Sequence, residues 1–230
     1  MIKIGRTNMN TLFFGSIGTL AETSALQLEA FNSAFAETGL NWYWSADDYR
    51  EMLVNAGGTQ RIAAYAKSQN VSVDSVALHA LKSKLYQQLL QSREIEFRPG
   101  VAHAIDHIKS KGGKLALVTS TSHANVTQLL SALKIPETTF DLVVHKGLIK
   151  AGKPDPEAYL YALKALNLTA DSVLAVEDNP DGAKAVLQSG MQCIATPGSF
   201  HDASNFDGVS EVQTTLDVSR YIKHENLAVA

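Results

Sequence analysis

Short apolar runs alternate with amphipathic stretches over the second half of the chain. The runs lie at residues 114–118, 141–144, 172–176 and 192–195. Runs that are apolar almost throughout are typical of strands covered on both faces of a parallel sheet. Helical periodicity between the runs predicts helices over residues 101–111, 123–133, 157–166 and 180–189. This alternation of strand and helix predicts a doubly wound α/β fold.

The first hundred residues follow a different pattern. Residues 11–14 are apolar and β-prone, stop at Gly15, and predict a central strand of the same sheet. Almost no strand pattern follows, and helical spacing predicts helices over 25–37, 46–55, 59–68 and a last one after Asp74. The apolar face of that last helix is predicted to contain Val76, Leu78, Leu81, Leu85, Leu89 and Leu90. We therefore expect an α/β core of residues 1–21 and 99–230 and a helical cap domain of residues 22–98 over an active site.

Composition narrows the class of protein and its partners. The 230 residues are 45% hydrophobic and 19% charged, with a net charge of −3, which is typical of a globular protein and favours neither nucleic acid nor an acidic membrane as partner. No apolar run approaches the roughly 20 residues that span a bilayer, and no apolar segment typical of a signal peptide follows Lys3 and Arg6. Cys193 lies in a predicted strand, which favours a core thiol over a nucleophile. We expect a cytoplasmic protein. A monomer is slightly favoured over an oligomer.

Chemically useful side chains follow the predicted strands. Ligands of open α/β sheets bind at the carboxyl ends of the strands. Thr119 follows the second strand, Lys153 comes after the third, and Glu177 and Asp178 end the fourth. A hydroxyl, an ammonium group and a carboxylate pair in one crevice suit a phosphate with a divalent cation such as Mg²⁺.

Ordered motifs extend this pattern over nearly the whole chain beyond residue 10. They are Gly18-Thr19-Leu20-Ala21-Glu22-Thr23, Trp42-Tyr43-Trp44, Gly57-Gly58-Thr59-Gln60-Arg61-Ile62, Arg98-Pro99-Gly100-Val101, Lys153-Pro154-Asp155-Pro156-Glu157 and Glu177-Asp178-Asn179-Pro180-Asp181-Gly182. In order and spacing the chain resembles the haloacid dehalogenase superfamily, in the branch with a helical cap after the first strand. Within that branch it is similar to CbbY-type sugar-phosphate phosphatases and, more distantly, to beta-phosphoglucomutase.

The resemblance implies roles for individual residues. Thr119 matches the hydroxyl that binds the phosphoryl group, and Lys153 the lysine that balances charge there. Asp178, with help from Glu177, matches the acidic pair that holds Mg²⁺. Arg61 matches a cap residue that reaches the distal part of the substrate. Glu22, Ser120 and Asn125 match positions that line the crevice. Ser16 supplies the hydroxyl of the first motif and is also expected to contact the ligand.

The chain departs from the family at the first motif, Asp-x-Asp-Gly-Thr. The first aspartate of that motif attacks phosphorus and binds Mg²⁺, and the second acts as general acid and base. Gly15 and Ile17 occupy those positions here, so phosphoaspartate catalysis has neither its nucleophile nor its proton-transfer group. Gln27 replaces a histidine that CbbY-type relatives usually carry, which also puts the identity of the substrate in doubt.

Several of these residues have a structural alternative. Thr119 and Lys153 can serve as ordinary turn and loop residues, although the surrounding motifs favour the site. Glu177 and Asp178 can equally cap the helix that begins near Pro180. Arg61 can lie on the cap surface. Trp42 and Trp44 are more typical of a small cap core than of a ligand platform.

Two functions from different classes remain. The first is a degenerate phosphatase, a pseudoenzyme that binds a phosphorylated sugar or inorganic phosphate, with Mg²⁺ affinity weakened. The second is an active Mg²⁺-dependent phosphomonoester phosphatase. It would use Ser16 or Glu22 as a replacement nucleophile, or water activated by Glu22, Glu177 or Asp178. The chemistry favours the first, because loss of such residues costs on the order of 10⁴–10⁶ in rate.

Overall fold

The computed structural model describes residues 9–15, 17–53 and 57–222. Its sheet is parallel, with the strand order β3-β2-β1-β4-β5-β6. The strands are β1 (Thr11–Phe14), β2 (Lys114–Val118), β3 (Leu142–Val144), β4 (Val173–Glu177), β5 (Gln192–Ala195) and β6 (Glu211–Val212). The predicted doubly wound fold with β1 in the middle of the sheet is therefore confirmed. Strand β6 was not predicted, because two residues are too few to show a periodicity.

Helices connect the strands. They are α1 (Ile17–Leu20), α2 (Ser24–Glu37), α3 (Ala46–Met52), α4 (Gly58–Ser68), α5 (Ser75–Ser92), α6 (Val101–Ser110), α7 (His123–Ala132), α8 (Glu157–Leu166) and α9 (Pro180–Gln188). The predicted helices are present to within a residue or two at most ends. The one predicted over 46–55 ends at Met52, and residues 54–56 lie outside the described ranges. Within those ranges, no helix has the length and apolar character that crossing a bilayer requires.

The two faces of the sheet are covered by different helix pairs. Leu12 and Phe14 of β1 belong to a hydrophobic cluster with side chains of α6 and α7, whereas Phe13 points to the opposite face and packs with side chains of α8 and α9. Alternate residues of a strand point to opposite faces. Burial on both faces is therefore the reason why the strand sequences are apolar at successive positions.

Polar side chains and a glycine cap several of the helix ends. Ser45 caps α3 in a capping box with Asp48, and the side chain of Asp74 accepts hydrogen bonds from the first turn of α5. Gly190 follows α9 with φ of +84°, a left-handed conformation that glycine adopts at little cost. These caps satisfy backbone groups that a helix end leaves without partners.

Helices α2 to α5, called the helical insert below, enclose an aromatic cluster of their own. Phe31, Phe35 and Tyr49 surround the fully buried Trp44, with ring centroids 4.7–6.2 Å from the Trp44 ring. The side-chain amide of Asn32 accepts from Trp44 N at 2.8 Å and donates to Trp44 O at 2.9 Å. The prediction that Trp44 belongs to a small core rather than to a ligand platform is confirmed. The cap boundaries at residues 22 and 98 stay a prediction.

Helix α5 buries most of the predicted face, since Leu78 and Leu90 are buried and Leu81, Leu85 and Leu89 are partly buried. Leu78, Lys82, Tyr86 and Leu90 are its buried residues, spaced four apart. Val76 was assigned to the apolar face, which is wrong, since 69% of its surface is exposed. Lys82 and Tyr86, which were not assigned to that face, are buried instead.

The loop after β5 joins the core to the helical insert. Phe200 lies in this loop yet packs in the aromatic cluster of the insert, 5.4 Å from the Tyr49 ring at 88° and beneath the Arg50 guanidinium at 5.8 Å. Two residues earlier in the loop, Gly198 N donates to Asp178 O at 2.8 Å. One short segment thus connects the strand-end edge of the sheet to the interior of the insert.

Phe200→Ala should lower the free energy of unfolding by roughly 3 kcal/mol, because it removes a ring from a packed cluster. Urea unfolding would measure this. Tyr43→Ala is the matched control, since Tyr43 is 74% exposed and its loss should change stability by at most about 0.5 kcal/mol. Equal effects of the two substitutions would contradict the role given to Phe200.

Candidate functional site

The carboxyl ends of three neighbouring strands meet at one edge of the sheet. Phe14, the last residue of β1, pairs with Leu117 of β2 and with Val176 of β4. Gly15 therefore lies between Val118 and Glu177, with Thr119 one residue further along. The backbone continues this pairing past the strands, with Gly15 N donating to Val176 O at 2.8 Å and Thr119 N to Val144 O at 2.9 Å.

A crevice of about 1340 Å³ opens between this edge and the helical insert. Its lining from the core includes Ile17, Thr119, Ser120, Thr121, Ser122, Asn125, Lys146, Lys150, Lys153, Asp181 and His201. Its lining from the insert includes Gln27, Arg50, Glu51, Arg61, His79 and Ser83. Of the predicted site residues, the structure thus brings together Thr119, Ser120, Asn125, Lys153 and Arg61. Ser16 lies outside the described residues.

The turn after β2 presents hydroxyl groups to the crevice in a fixed arrangement. Thr119 Oγ1 accepts from Thr121 N at 3.1 Å. The amide of Asn125 donates to Thr121 Oγ1 at 3.0 Å and accepts from Gln87 of α5 at 2.8 Å. Thr119 and Asn125 are both buried. A turn held this way offers hydroxyl groups with little conformational freedom left to lose, which suits an oxyanion ligand.

Lys153 turns toward the core of the sheet rather than across the crevice. Its Nζ donates to Glu177 Oε1 at 2.6 Å, to Val118 O at 2.8 Å and to the carbonyl oxygen of Gly15, and lies 3.2 Å from the Tyr159 hydroxyl. An ammonium group has three N–H donors, so these oxygens use its full capacity. Lys153 lies at the strand ends, in agreement with the prediction. Its direct hydrogen-bond partners, however, are oxygens of the protein.

Glu177 is completely buried beneath the crevice. Burial raises the pKa of its carboxyl group, and the neighbouring Lys153 ammonium opposes that rise. Its Oε1 also accepts a 2.5 Å hydrogen bond from Tyr159, whose pKa is raised by burial and by this carboxylate. Glu177 therefore serves as an internal counter-ion with no surface open to a ligand.

The carboxylate of Glu177 fills the space beside two glycines. A Cβ added to Gly15 would lie 2.1 Å from the Tyr159 hydroxyl oxygen and 2.2 Å from Glu177 Oε1. A Cβ added to Gly182 would lie 2.1 Å from Glu177 Cδ. The volume that a side chain at position 15 needs is thus already occupied.

The remaining acidic candidates are placed apart from the crevice lining. Asp178 Oδ1 accepts from Asn179 Nδ2 at 2.9 Å, and Asn179, not the acidic pair, caps α9 through Gly182 N. The capping alternative for Glu177 and Asp178 is therefore wrong. Glu22 lies at the junction with the insert, where it accepts from Ser24 N at 2.9 Å and Ser199 N at 2.8 Å. Within the described ranges, no three His, Cys, Asp or Glu side chains form a group that could hold a metal ion.

Four residues of the site region were not predicted. Tyr159 is a fully buried phenol in α8, and His201 lines the crevice in the loop after β5. Lys82 is buried in α5, where its Nζ donates to Gln27 Oε1 and lies 4.6 Å from the Phe31 ring centroid. His79 lies one turn earlier on α5. A signal for Lys82 does exist in the sequence, because it interrupts the four-residue spacing of Leu78, Tyr86 and Leu90.

The cations around the insert side of the crevice change the protonation of its residues. Burial, followed by Lys82, Lys146 and Arg61, lowers the pKa of His79 to about 4. Burial and the charge of Arg61 lower the pKa of Lys82 to about 7. The Lys146 and Arg61 side chains thus lie near His79, where their charges would stabilise an anionic ligand.

Comparison with known proteins identifies relatives over most of the chain. The family model described as "Haloacid dehalogenase-like hydrolase" matches residues 18–196. Protein CbbY of Cereibacter sphaeroides is 32% identical over 209 residues, covering 89% of this chain and 91% of the relative. Protein CbbY of Rhodobacter capsulatus is 35% identical over 203 residues, covering 86% and 89%. The phosphorylated carbohydrates phosphatase of Thermotoga maritima is 29% identical, covering 81% and 84%.

Solved structures agree with the sequence relatives. The crystal structure of CbbY from Rhodobacter sphaeroides in complex with phosphate superposes with a TM-score of 0.85 at 32% identity, covering 90% of this chain and 94% of that chain. A mutant of the same protein was crystallised with xylulose-(1,5)-bisphosphate and superposes equally well. The resemblance inferred from the motifs is thus confirmed.

Gly15→Ala should destabilise the protein by about 1–3 kcal/mol or more, because the new methyl group overlaps Tyr159 and Glu177. For the same reason Gly15→Asp combined with Ile17→Asp should lower stability without creating phosphatase activity. Thermal or urea unfolding measures the first effect. Gly152→Ala is the control, since its Cβ would meet Ser120 at an ordinary 3.7 Å. A stable, active double variant would contradict the filled volume.

Lys82→Met should raise the free energy of unfolding at pH 6, because the wild-type fold buries a charge there. The folded-state pKa of Lys82, about 7, lies below its ordinary 10.5, so the unfolded chain binds more protons between these values. Stability should therefore rise with pH across that window in the wild type, and rise less in Lys82→Met. Unfolding curves at pH 6 and 10 measure the difference, with the exposed Lys84→Met as control. Identical pH dependences would disprove the burial cost.

Proposed function

The chain belongs to the haloacid dehalogenase-like hydrolase family, and we propose that it binds a phosphorylated sugar without hydrolysing it through a phosphoaspartate. One observation carries this proposal. The volume beside Gly15, where the family places its nucleophile, is occupied by Tyr159 and Glu177, while the crevice above remains open at about 1340 Å³. A site with room for a ligand and none for the nucleophile supports binding in preference to covalent catalysis.

Among the described residues at the first-motif position, neither Ile17 nor Glu177 supplies the missing chemistry. Ile17 lines the crevice at the position of the proton-transfer residue but has no ionisable group. Glu177 is near the position of the lost nucleophile, yet it is completely buried and bonded to Lys153 and Tyr159. A nucleophile must first reach the phosphorus atom, and Glu177 has no exposed surface from which to do so.

The proposed ligand is anchored at two ends. The hydroxyl turn of Thr119 and Ser120 would receive one phosphate. Arg61 and Lys146, which line the same crevice, would stabilise a second negative charge on the insert side. A CbbY relative of matching fold was crystallised with a sugar bisphosphate. We therefore propose a sugar bisphosphate as the ligand class, with the helical insert acting as the cap domain of residues 22–98.

A protein that retains a ligand without converting it has a regulatory use. By mass action, binding removes free ligand or stabilises the bound conformation of the protein. The proposed physiological role is that of a sensor, partner-binding module or competitor that responds to the concentration of a phosphorylated sugar.

Slow hydrolysis by direct water attack is the competing function, and His201 favours it. Burial lowers the pKa of His201, although Asp178, Glu22 and Asp181 oppose this. Its imidazole is therefore largely neutral near pH 7 and lines the same crevice as Thr119. A neutral imidazole can accept a proton from water. In this alternative His201, rather than the buried Glu177, is the base.

Purified protein should show no turnover of p-nitrophenyl phosphate or sugar bisphosphates with Mg²⁺, while calorimetry detects phosphate or xylulose 1,5-bisphosphate binding. Thr119→Val should weaken that binding by roughly 10–100-fold, the value of a hydrogen bond to a charged group. Val preserves the shape of the buried side chain. Thr139→Val, in the turn before β3, is the control and should bind as the wild type does.

Two results would count against binding without catalysis. Metal-dependent turnover that survives repurification and disappears in His201→Gln would establish the competing function. Absence of any anion binding, with the protein folded, would remove the proposed ligand site altogether.

A further inference from the structure

Lys153 occupies the centre of an oxygen cage at the strand ends. The cage consists of the carbonyl oxygens of Gly15 and Val118, the Tyr159 hydroxyl and Glu177 Oε1. These groups come from β1, β2, α8 and β4, which converge at this edge of the sheet. The Lys153 side chain is only 8% exposed and that of Glu177 is fully buried. The ammonium group therefore has all of its N–H donors directed at oxygens of the protein.

The donors that the family offers to Mg²⁺ do not fit that ion in this chain. Mg²⁺ prefers near-octahedral oxygen ligands at about 2.0–2.1 Å, usually including carboxylates. Positions 15 and 17 supply no carboxylate. Glu177 Oε1 is used by Lys153 and Tyr159, and its Oε2 lies 3.3 Å from Asp178 N. Asp178 alone remains, and its Oδ1 already accepts from Asn179.

The position of Glu177 is held from both sides. Its carboxylate lies within 2.3 Å of the Cβ positions that side chains at Gly15 and Gly182 would require. The two glycines thus make room for the carboxylate in its inward position. Swinging it out to a metal would leave the Lys153 ammonium buried without its counter-ion, which is strongly unfavourable.

We infer that the described strand-end residues do not offer Mg²⁺ a site, because Lys153 and Glu177 form an internal ion pair, and that the crevice takes its anionic ligand without a metal. The lack of a metal site follows from the occupied donor atoms, whereas metal-free binding of the anion rests on the proposed function. Glu177 is accordingly a positioning residue for Lys153 and not a metal ligand.

Direct titration with Mg²⁺ and with paramagnetic Mn²⁺ tests the metal statement in the full chain after EDTA treatment. Calorimetry and water-proton relaxation should show no saturable binding at millimolar metal, and the melting temperature should be equal in Mg²⁺ and in EDTA. Asp178→Asn should leave these readings unchanged, as should the exposed control Asp171→Asn at the other end of β4. Saturable binding that Asp178→Asn abolishes and Asp171→Asn retains would overturn the inference.

Phosphate calorimetry in Mg²⁺ and in EDTA tests the anion statement. We expect the same dissociation constant in both buffers. Binding in Mg²⁺ that EDTA abolishes would overturn the inference while supporting the proposed function. Absence of phosphate binding in both buffers would defeat the proposed function, and the metal titration would still decide whether the strand ends bind Mg²⁺.

Discussion

The buried ion pair between Lys153 and Glu177 is the interaction on which the arrangement of the site depends. A charge moved out of water must be paired and hydrogen-bonded to be tolerated. Lys153 meets this condition through Glu177 and two main-chain carbonyl oxygens at the ends of β1 and β2. The pair therefore ties the loop after β3 to the central strands. The opposite charges of Lys153 and Glu177 also cancel each other at the strand ends.

The glycine at position 15 and the inward position of Glu177 are linked by packing. Protein interiors leave few voids larger than a water molecule, so the volume beside Gly15 has to be filled. The Tyr159 hydroxyl and the Glu177 carboxylate fill it. In this chain the position where the first motif of the family has an aspartate is therefore packed against Tyr159 and Glu177, below a crevice that Thr119 and Arg61 line.

The helical insert contributes charge as well as cover. Lys82 replaces an apolar residue in the buried stripe of α5 and has Gln27 and aromatic rings as its neighbours. Burial lowers the pKa of His79, and the charges of Lys82, Lys146 and Arg61 lower it further. Phe200 fastens the loop after β5 into the insert, so the two walls of the crevice are connected by packing. The shape and charge of the crevice therefore depend on how the core and the insert pack together.

The sequence by itself determined the doubly wound core, the order of its elements, and the positions of Thr119, Lys153, Arg61 and the absent aspartates, because these follow from periodicity and from motifs at strand ends. It did not determine where Glu177 points, that Asn179 rather than the acidic pair caps α9, or that Lys82 is buried. Those outcomes depend on side chains from distant segments competing for the same volume and the same hydrogen bonds. Only the tertiary structure brings Tyr159, Glu177 and Gly15 together, since no local pattern encodes a contact between residues so far apart in the chain.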